Sequence, residues 1–207
     1  MLIAGLSGFG YVGYQVWGTN VGAHQAYDRE RQQLRQRWSG PSRPSSGTDG
    51  GEPSRGHGAA LPRDAIALIS IPSIGVHEVP VIEGTGLDVL ARGVGHYRNT
   101  AGPGQLGNFA VAGHRITHGE PFANLLEMNP GDKIIIETRS RVFTYELDRS
   151  PRNLTVEDTD GWVIEPVPGH PHRKPTQRLI TLTTCQDLFH SPDRSVGVGH
   201  LVSARTK

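Results

Sequence analysis

The chain has 207 residues, a formal net charge of +1 and 35% hydrophobic residues, which is enough for one folded domain with further segments attached. Because the charge is near zero and no long basic run interrupts the mixture of signs, a nucleic-acid partner is not expected. Cys185 is the sole cysteine, so an internal disulfide is excluded and cysteine usage leaves the cellular compartment open.

The first 23 residues carry no charged side chain and are mostly apolar residues and glycine. A transmembrane helix needs about 20 mostly apolar residues, and Tyr14 and Trp17 suit the interface between lipid and water. We therefore predict a transmembrane anchor over residues 1–23. A cleaved signal peptide is the alternative, although a charged start and a clear cleavage site are missing.

Residues 24–62 are predicted to form a flexible linker. Tyr27 to Trp38 could form a short polar helix, because Arg, Gln, Glu and Leu are good helix formers. Residues 39–60 are dominated by Gly, Pro and Ser. Such a segment buries too little apolar surface to offset the entropy lost on ordering.

Short strand-like stretches follow from residue 63 onward. Phe143, Tyr145 and Leu147 alternate with polar residues, as in one strand of a half-buried hairpin. A helical turn is expected over residues 121–128. Strands are predicted over residues 65–71, 79–82, 106–112, 133–138, 141–147, 162–164, 178–184 and 195–202. Since no regular helices separate them, the pattern indicates an all-β fold, either an antiparallel barrel or a sandwich.

Three side chains from separate segments could together form a catalytic site. Cys185 ends a β-branched strand, Arg194 follows it by nine residues, and His114 lies upstream after another apolar stretch. A thiol, an imidazole and a guanidinium could serve as nucleophile, proton-transfer group and anion stabiliser. The alternative is that Cys185 is a buried small hydrophobe.

The amino-acid sequences of these segments resemble those of the sortase family of cysteine transpeptidases. Residues 181–185, Thr-Leu-Thr-Thr-Cys, match the family's Thr-Leu-x-Thr-Cys strand end, Arg194 stands where the family has its catalytic arginine, and residues 108–115 resemble the strand end with the catalytic histidine. The resemblance covers about residues 64–204 and implies a closed eight-stranded β-barrel with short helices over residues 63–207. It also implies that His114, Cys185 and Arg194 are catalytic.

On the family's mechanism, Cys185 attacks the carbonyl of a threonine in a substrate peptide and His114 protonates the leaving amine. Arg194 then stabilises the developing oxyanion, since a guanidinium keeps its charge near neutral pH. The implied reaction cleaves a Leu-Pro-x-Thr-Gly-like sorting signal after threonine and transfers the acyl group to an amine. A hydrolase that uses the same acyl-enzyme and a non-catalytic peptide-binding barrel are the alternatives.

Within the sortases the chain looks most like the actinobacterial class E. The resemblance lies in Gly95-His96-Tyr97, Gly113-His114-Arg115 and the Gly119-x-Pro121-Phe122 that follows. Class E implies a preference for Leu-Ala-x-Thr-Gly over Leu-Pro-x-Thr-Gly. Tyr97, Thr183 and Thr184 are expected to contact the substrate, with packing at the barrel rim as the alternative for Tyr97. Gln186-Asp187 departs from many members, which have a proline after the residue that follows the cysteine.

The expected partners are secreted proteins with such signals, a peptidoglycan precursor or pilin amine, and the membrane. No cofactor or metal is expected. His114 and His118 have an H-x3-H spacing, but no third ligand stands at a recognisable zinc spacing. We also find no acidic cluster resembling a calcium loop.

The resemblance implies a single-pass membrane protein with an extracytoplasmic catalytic domain. Charge placement conflicts with this orientation, because the nearest arginines follow the anchor, at Arg29, Arg31, Arg35 and Arg37. By the positive-inside rule they would leave the remainder in the cytoplasm. The expectation therefore includes a basic cytoplasmic segment that precedes Met1 in the natural protein.

Overall fold

Short apolar stretches in the second part of the chain form nine β-strands. The structure, a computed structural model, describes residues 19–40, 65–185 and 192–207. The strands are β1 (Ala65–Ile71), β2 (Val76–Glu83), β3 (Val94–His96), β4 (Gly107–Ala112), β5 (Lys133–Glu137), β6 (Arg141–Arg149), β7 (Thr155–Glu157), β8 (Arg178–Cys185) and β9 (Asp193–Thr206). The two α-helices of the described residues are α1 (Thr19–Ser39) and α2 (Leu87–Leu90), and 3-10 helices cover Pro72–Ile74, Leu125–Glu127, Pro151–Asn153 and Gly161–Ile164.

Eight of the strands close into a barrel. Their neighbour order is β6-β5-β1-β2-β3-β4-β8-β9, and β9 pairs back onto β6 to complete the ring. The ninth strand, β7, pairs with the first residues of β9 outside the ring. Closure leaves the eight-stranded ring without a free edge. The predicted closed eight-stranded barrel is confirmed.

The sheet is mixed, where the strand pattern alone predicted antiparallel pairing. β2 pairs with β3, and β4 with β8, in parallel. The other pairings are antiparallel. Parallel pairs need a long crossover rather than a tight turn, and here α2 lies in the β2–β3 connection.

The barrel interior is filled by the inward-facing residues that the alternation predicted. Ile134 pairs with Tyr145 across the β5–β6 hairpin, and both side chains are fully buried. Phe143 and Leu147 are buried on the same strand, while Thr144 between them is partly exposed. The same core cluster contains Phe109, Phe122 and Met128.

Residues 162–164 form part of a 3-10 helix and not the predicted strand. The Val163 carbonyl accepts hydrogen bonds from the side chains of Asn108 (3.0 Å) and Thr181 (3.2 Å). Side chains of the barrel therefore satisfy a backbone group that a strand would pair with a neighbour. The three-residue strands β3 and β7 were not predicted, because an alternating pattern needs at least four residues to be recognised.

Helix α1 packs on the barrel, so the predicted linker over residues 24–62 is corrected for residues 24–39. Ala23, Tyr27 and Leu34 are buried, and Leu34 lies in a cluster with Leu68, Ile82 and Val89. Arg35 donates to the Glu78 carboxylate at 2.6 Å. Residues 41–62 of the predicted linker lie outside the described residues.

The predicted anchor over residues 1–23 lies mostly outside the described residues, which begin at Thr19. Within the described parts of the chain, no helix has the length and apolar character needed to cross a membrane.

Candidate active site

Strands β8 and β9 bring Cys185 and Arg194 together. The two residues are direct partners in the antiparallel ladder, at the end of β8 and near the start of β9. Directly opposed residues of an antiparallel pair lie on the same face of the sheet, with Cβ atoms about 5 Å apart. The fold thus positions a guanidinium-bearing residue beside the cysteine.

Strands β4 and β8 bring His114 to the same edge of the barrel. These strands run in parallel, with Ala112 paired to Thr183. His114 and Cys185 each follow this last pair by two residues. Parallel strands end at a common edge, so the register alone makes His114 and Cys185 neighbours.

Two hydrogen bonds extend the β4–β8 contact to Gly113, immediately before His114. The Gly113 amide donates to the Thr183 carbonyl at 3.1 Å, and the Thr184 hydroxyl donates to the Gly113 carbonyl at 2.9 Å. A Cβ at Gly113 would lie 2.6 Å from the Phe122 ring. Only glycine allows the chain to pass this close to the core before presenting His114.

The His114 imidazole is held in a desolvated position. Its ring stacks on that of His118, with centroids 4.9 Å apart and 25° between the planes. Burial, followed by the charge of His118, lowers the pKa of His114 from 6.5 to about 4, so the ring is neutral at pH 7. Nε2 of His114 is buried and has no hydrogen-bond partner among the described residues, which leaves this atom free for a reacting group.

Arg194 reaches toward the segment that follows β7. Its Nη1 donates to the Asp193 carbonyl at 3.1 Å, and its Nη2 lies 3.6 Å from the Asp158 carboxylate. The Asp158 side chain is 48% exposed, so this ion pair is screened by water and contributes little to stability. Asp158 is a neighbour of the site that sequence reasoning missed.

A small pocket of about 60 Å³ opens beside Arg194. Tyr97, Thr183 and Val163 contribute to its wall. The Tyr97 hydroxyl lies 3.2 Å from the Thr183 hydroxyl, which donates to the Val111 carbonyl at 3.2 Å. Of the predicted substrate-contacting residues, Tyr97 and Thr183 therefore line one pocket with Arg194. Thr184 is 2% exposed, and its hydroxyl is bonded to Gly113.

The buried histidine next to Tyr97, His96, has both its ring nitrogens in contact with polar groups of the protein. Nδ1 of His96 lies 2.7 Å from the Glu83 carboxylate, and Nε2 lies 3.1 Å from the Ala101 carbonyl and 3.0 Å from the Thr100 hydroxyl. The Thr100 hydroxyl also donates to the Tyr97 carbonyl at 2.7 Å. His96 thus supports the backbone that carries Tyr97. In the described parts of the chain, no three His, Cys, Asp or Glu side chains are grouped to hold a metal ion.

Sequence reasoning named the three chemical groups and missed part of their surroundings. His118 entered it only through the H-x3-H spacing, whereas the structure stacks its ring on His114. Tyr27, within the predicted linker, donates a hydrogen bond to the His118 carbonyl at 2.6 Å. The i, i+4 spacing could have suggested the first contact, but no local signal points to the second.

Comparisons with known proteins identify the family of this chain. The sortase domain matches residues 69–202. Sortase SrtE1 of Streptomyces coelicolor is 36% identical over 95% of this chain, and the chain spans 54% of that relative's length. Sortase E from Streptomyces avermitilis is 40% identical, with a TM-score of 0.61 over 69% of this chain and 90% of that chain.

A structure of sortase E1 from Streptomyces coelicolor with a tripeptide in the active site is 35% identical, with a TM-score of 0.60 over 69% of this chain and 90% of that one. These relatives confirm the resemblance to class E. The matches to the domain and to the relatives show that the chain belongs to the sortase family.

Proposed function

We propose that this chain is a cysteine transpeptidase that cleaves a Leu-Ala-x-Thr-Gly or Leu-Pro-x-Thr-Gly-like sorting signal after threonine and transfers the acyl group to an amine. Sortase homologues are cysteine transpeptidases that act on sorting-signal proteins and amine acceptors. The observation that carries the proposal is the strand register, in which Cys185 opposes Arg194 and follows the same β4–β8 pair as His114.

The protonation state of His114 supports a mechanism in which the cysteine is the nucleophile. Because the pKa of His114 is lowered to about 4, its ring starts neutral, and the proton for the leaving amine comes from the Cys185 thiol. Transfer to Nε2 gives a thiolate beside an imidazolium, and each charge then stabilises the other. The thiolate sulfur attacks the threonine carbonyl carbon, the carbon–nitrogen bond breaks, and His114 gives its proton to the departing amine. The acyl group remains on Cys185 as a thioester.

In the second half-reaction an incoming amine loses a proton to His114, attacks the thioester and releases the thiol. Arg194 is proposed to donate to the oxyanion of both tetrahedral intermediates. Its guanidinium contacts the Asp193 carbonyl and the half-exposed Asp158 carboxylate. A guanidinium beside the nucleophile places N–H donors close to where the oxyanion charge would develop.

The pocket lined by Tyr97 and Thr183 is proposed to hold the signal residues next to the scissile threonine. The pocket is small and lined by Tyr97, Thr183 and Val163, and the proposal places the alanine of the signal there. Thr184 would act indirectly, through the carbonyl of Gly113. The tripeptide bound in the active site of Streptomyces coelicolor sortase E1 supports a peptide substrate.

The acceptor is proposed to be the amine of a peptidoglycan precursor or of a pilin. Sortase homologues are cell-surface enzymes, and an anchored enzyme facing the cell wall would meet both the sorting-signal protein and that amine. On this proposal the catalytic barrel lies outside the membrane. Hydrolysis of the same acyl-enzyme is the competing outcome when no amine binds.

Intact-protein mass spectrometry tests the proposal. The enzyme is mixed with a Leu-Ala-x-Thr-Gly peptide without an amine, and we expect a mass increase equal to the acyl fragment through threonine. Cys185 is the sole cysteine, so the adduct has one possible thioester site. Cys185→Ala should form no adduct, and His114→Ala should lose nearly as much activity. Peptide cleavage by Cys185→Ala at the wild-type rate would refute the proposal.

A further inference from the structure

Helix α1 contacts the loop that carries His114, at the part of that loop whose residues have positive φ angles. The Tyr27 hydroxyl donates to the His118 carbonyl at 2.6 Å. Seven residues closer to the amino terminus of the helix, the Asn20 side-chain carbonyl accepts from the Gly119 amide at 2.8 Å. The Asn20 amide also contacts the Glu120 carboxylate. Two side chains of one helix thus hold three consecutive loop residues.

Those three residues all have left-handed backbone conformations. The φ angles are 55° at His118, 80° at Gly119 and 47° at Glu120. Gly119 adopts such an angle freely, whereas His118 and Glu120 adopt it at a cost that persists only where surrounding contacts over-determine the conformation. The contacts from Tyr27 and Asn20 act on this turn together with the backbone hydrogen bond from the Glu120 amide to the Thr117 carbonyl at 3.2 Å.

The left-handed turn determines where the His118 ring lies. His118 stacks on His114 with centroids 4.9 Å apart, and its Nδ1 lies 3.0 Å from the Thr117 hydroxyl. A rotation of the His118 backbone would move this ring away from His114 and admit water to the face it covers. The hydrogen bond from Tyr27 therefore acts on the backbone of the residue whose ring covers His114.

The burial and packing of Tyr27 favour this hydrogen bond. Its side chain is 6% exposed, and a Cβ on Gly119 would lie 2.9 Å from its ring. A buried hydroxyl is costly unless it is hydrogen-bonded, and the bond to the His118 carbonyl meets that requirement. Burial also raises the pKa of Tyr27, so the hydroxyl stays protonated and remains a donor at every working pH.

We propose that Tyr27 is a positioning residue for His114, acting through the His118 carbonyl and the stacked His118 ring. The inference rests on the catalytic role proposed for His114 and adds a helix outside the barrel to the machinery of the site. Tyr27 touches neither the thiol nor the substrate on this account. Its contribution is to keep the imidazole in one orientation with one face covered.

Other charged or titratable groups lie near His114, and a change in any of them would alter its titration. They are Arg115, His118 and Glu120 on the same loop, His24 and Tyr27 on α1, Cys185 on β8 and Arg194 on β9. The variants below leave all of them in place except the Tyr27 hydroxyl.

The test compares two variants in the full chain. Tyr27→Phe keeps the ring against Gly119 and removes only the hydroxyl that bonds to His118. Arg92→Gln is the matched control, because it removes the Arg92–Glu30 ion pair that ties α1 to the barrel away from the His114 loop. We expect kcat for peptide cleavage to fall about tenfold in Tyr27→Phe with KM unchanged, and to stay near wild type in Arg92→Gln.

A second readout does not depend on activity. The pKa of His114, measured by NMR of its imidazole, should rise from about 4 toward 6.5 in Tyr27→Phe, because loosening the His118 stack admits water. It should not change in Arg92→Gln. A merely stabilising role for Tyr27 would lower the melting temperature in both variants and leave the pKa of His114 where it was.

The proposal requires both results, and either an unchanged His114 pKa or an unchanged kcat in Tyr27→Phe overturns it. Equal effects of the two variants also overturn it, because α1 would then act only through stability. If the wild-type enzyme cleaves no sorting peptide, the proposed function fails. The NMR measurement still decides, in that case, whether Tyr27 positions His114.

Discussion

Cys185 and Arg194 face each other across the β8–β9 ladder as direct register partners. The two residues are nine positions apart in sequence and are direct neighbours across one strand pair in space. This relationship makes the arginine a fixed neighbour of the proposed nucleophile, because it depends on backbone pairing rather than on the conformation of a loop. Side-chain substitutions at Arg194 can then be tested without disturbing the fold.

Arg194→Lys should separate charge from hydrogen-bond geometry. Lysine keeps the positive charge but loses the planar fork of donors. If Arg194 donates to the oxyanion, kcat should fall on the order of 10²-fold with a smaller change in KM. Steady-state cleavage of a fluorogenic sorting peptide measures both parameters, and turnover near that of the wild type would remove Arg194 from this role.

Thr183→Val and Thr184→Val should alter different kinetic parameters. Thr184 bonds to Gly113 beside His114, so its loss should lower kcat and cost about 1 kcal/mol of folding free energy. Thr183 lies at the Tyr97 pocket, so its loss should mainly change KM for the peptide. Valine has nearly the same shape and volume as threonine, so both variants lose only the hydroxyl group and can be compared directly. Loss of the same parameter in both would argue against separate roles.

The lowered pKa of His114 should make the protein less stable in mild acid. In the unfolded chain this group titrates near 6.5, and in the folded protein near 4. The unfolded state therefore binds more protons between these values, and the free energy of unfolding rises with pH from about 4 to 6.5 and is flat above. The difference corresponds to at most about 3 kcal/mol. Burial lowers the pKa of His118 as well, which adds a slope of the same sign.

Thermal unfolding between pH 4 and pH 7 measures this slope. His114→Gln should flatten it, whereas His172→Gln, at an exposed position, should leave it unchanged. Equal slopes for wild type and His114→Gln would show that another group causes the acid sensitivity.

Helix α1 should contribute to stability, contrary to its assignment as linker. A chain that begins at Leu61 lacks the buried side chains of Ala23, Tyr27 and Leu34. Removing Tyr27 and Leu34 from the packed interface costs about 3 kcal/mol, or a melting temperature lower by roughly 10 °C in a domain of this size. The comparison is with a chain that begins at Thr19. Identical melting temperatures and identical turnover would restore the reading of residues 24–39 as linker.

Local signals were sufficient for most of the barrel strands. The run ending in Cys185 is β-branched and apolar, which is the signature of a buried strand, and β8 ends at that residue. The short linked segments flanking residues 139 and 140 form the β5–β6 hairpin as predicted. In these places sequence pattern and tertiary environment agree.

Long-range side-chain contacts explain what the sequence could not predict. Trp162-Val163-Ile164 has strand-forming residues, yet Asn108 and Thr181 capture the Val163 carbonyl from other parts of the chain. Helix α1 is polar along most of its length, and its few buried residues gave no helical stripe strong enough to predict packing. Tyr27 and His118 are 91 positions apart, so their contact has no signature in local spacing.

The most direct test of the central claim is the partition of the acyl-enzyme between amine and water. Water at about 55 M competes with an amine at millimolar concentration, so transfer prevails only if the site binds and orients the amine. A Leu-Ala-x-Thr-Gly peptide is incubated with enzyme and increasing glycine or diamino-acid nucleophile, and the products are quantified by mass spectrometry. We expect the threonine-amide product to dominate, with slower turnover and residual hydrolysis when the amine is omitted. Free threonine carboxylate as the main product with every wall-like amine would contradict the transpeptidase assignment and leave a hydrolase.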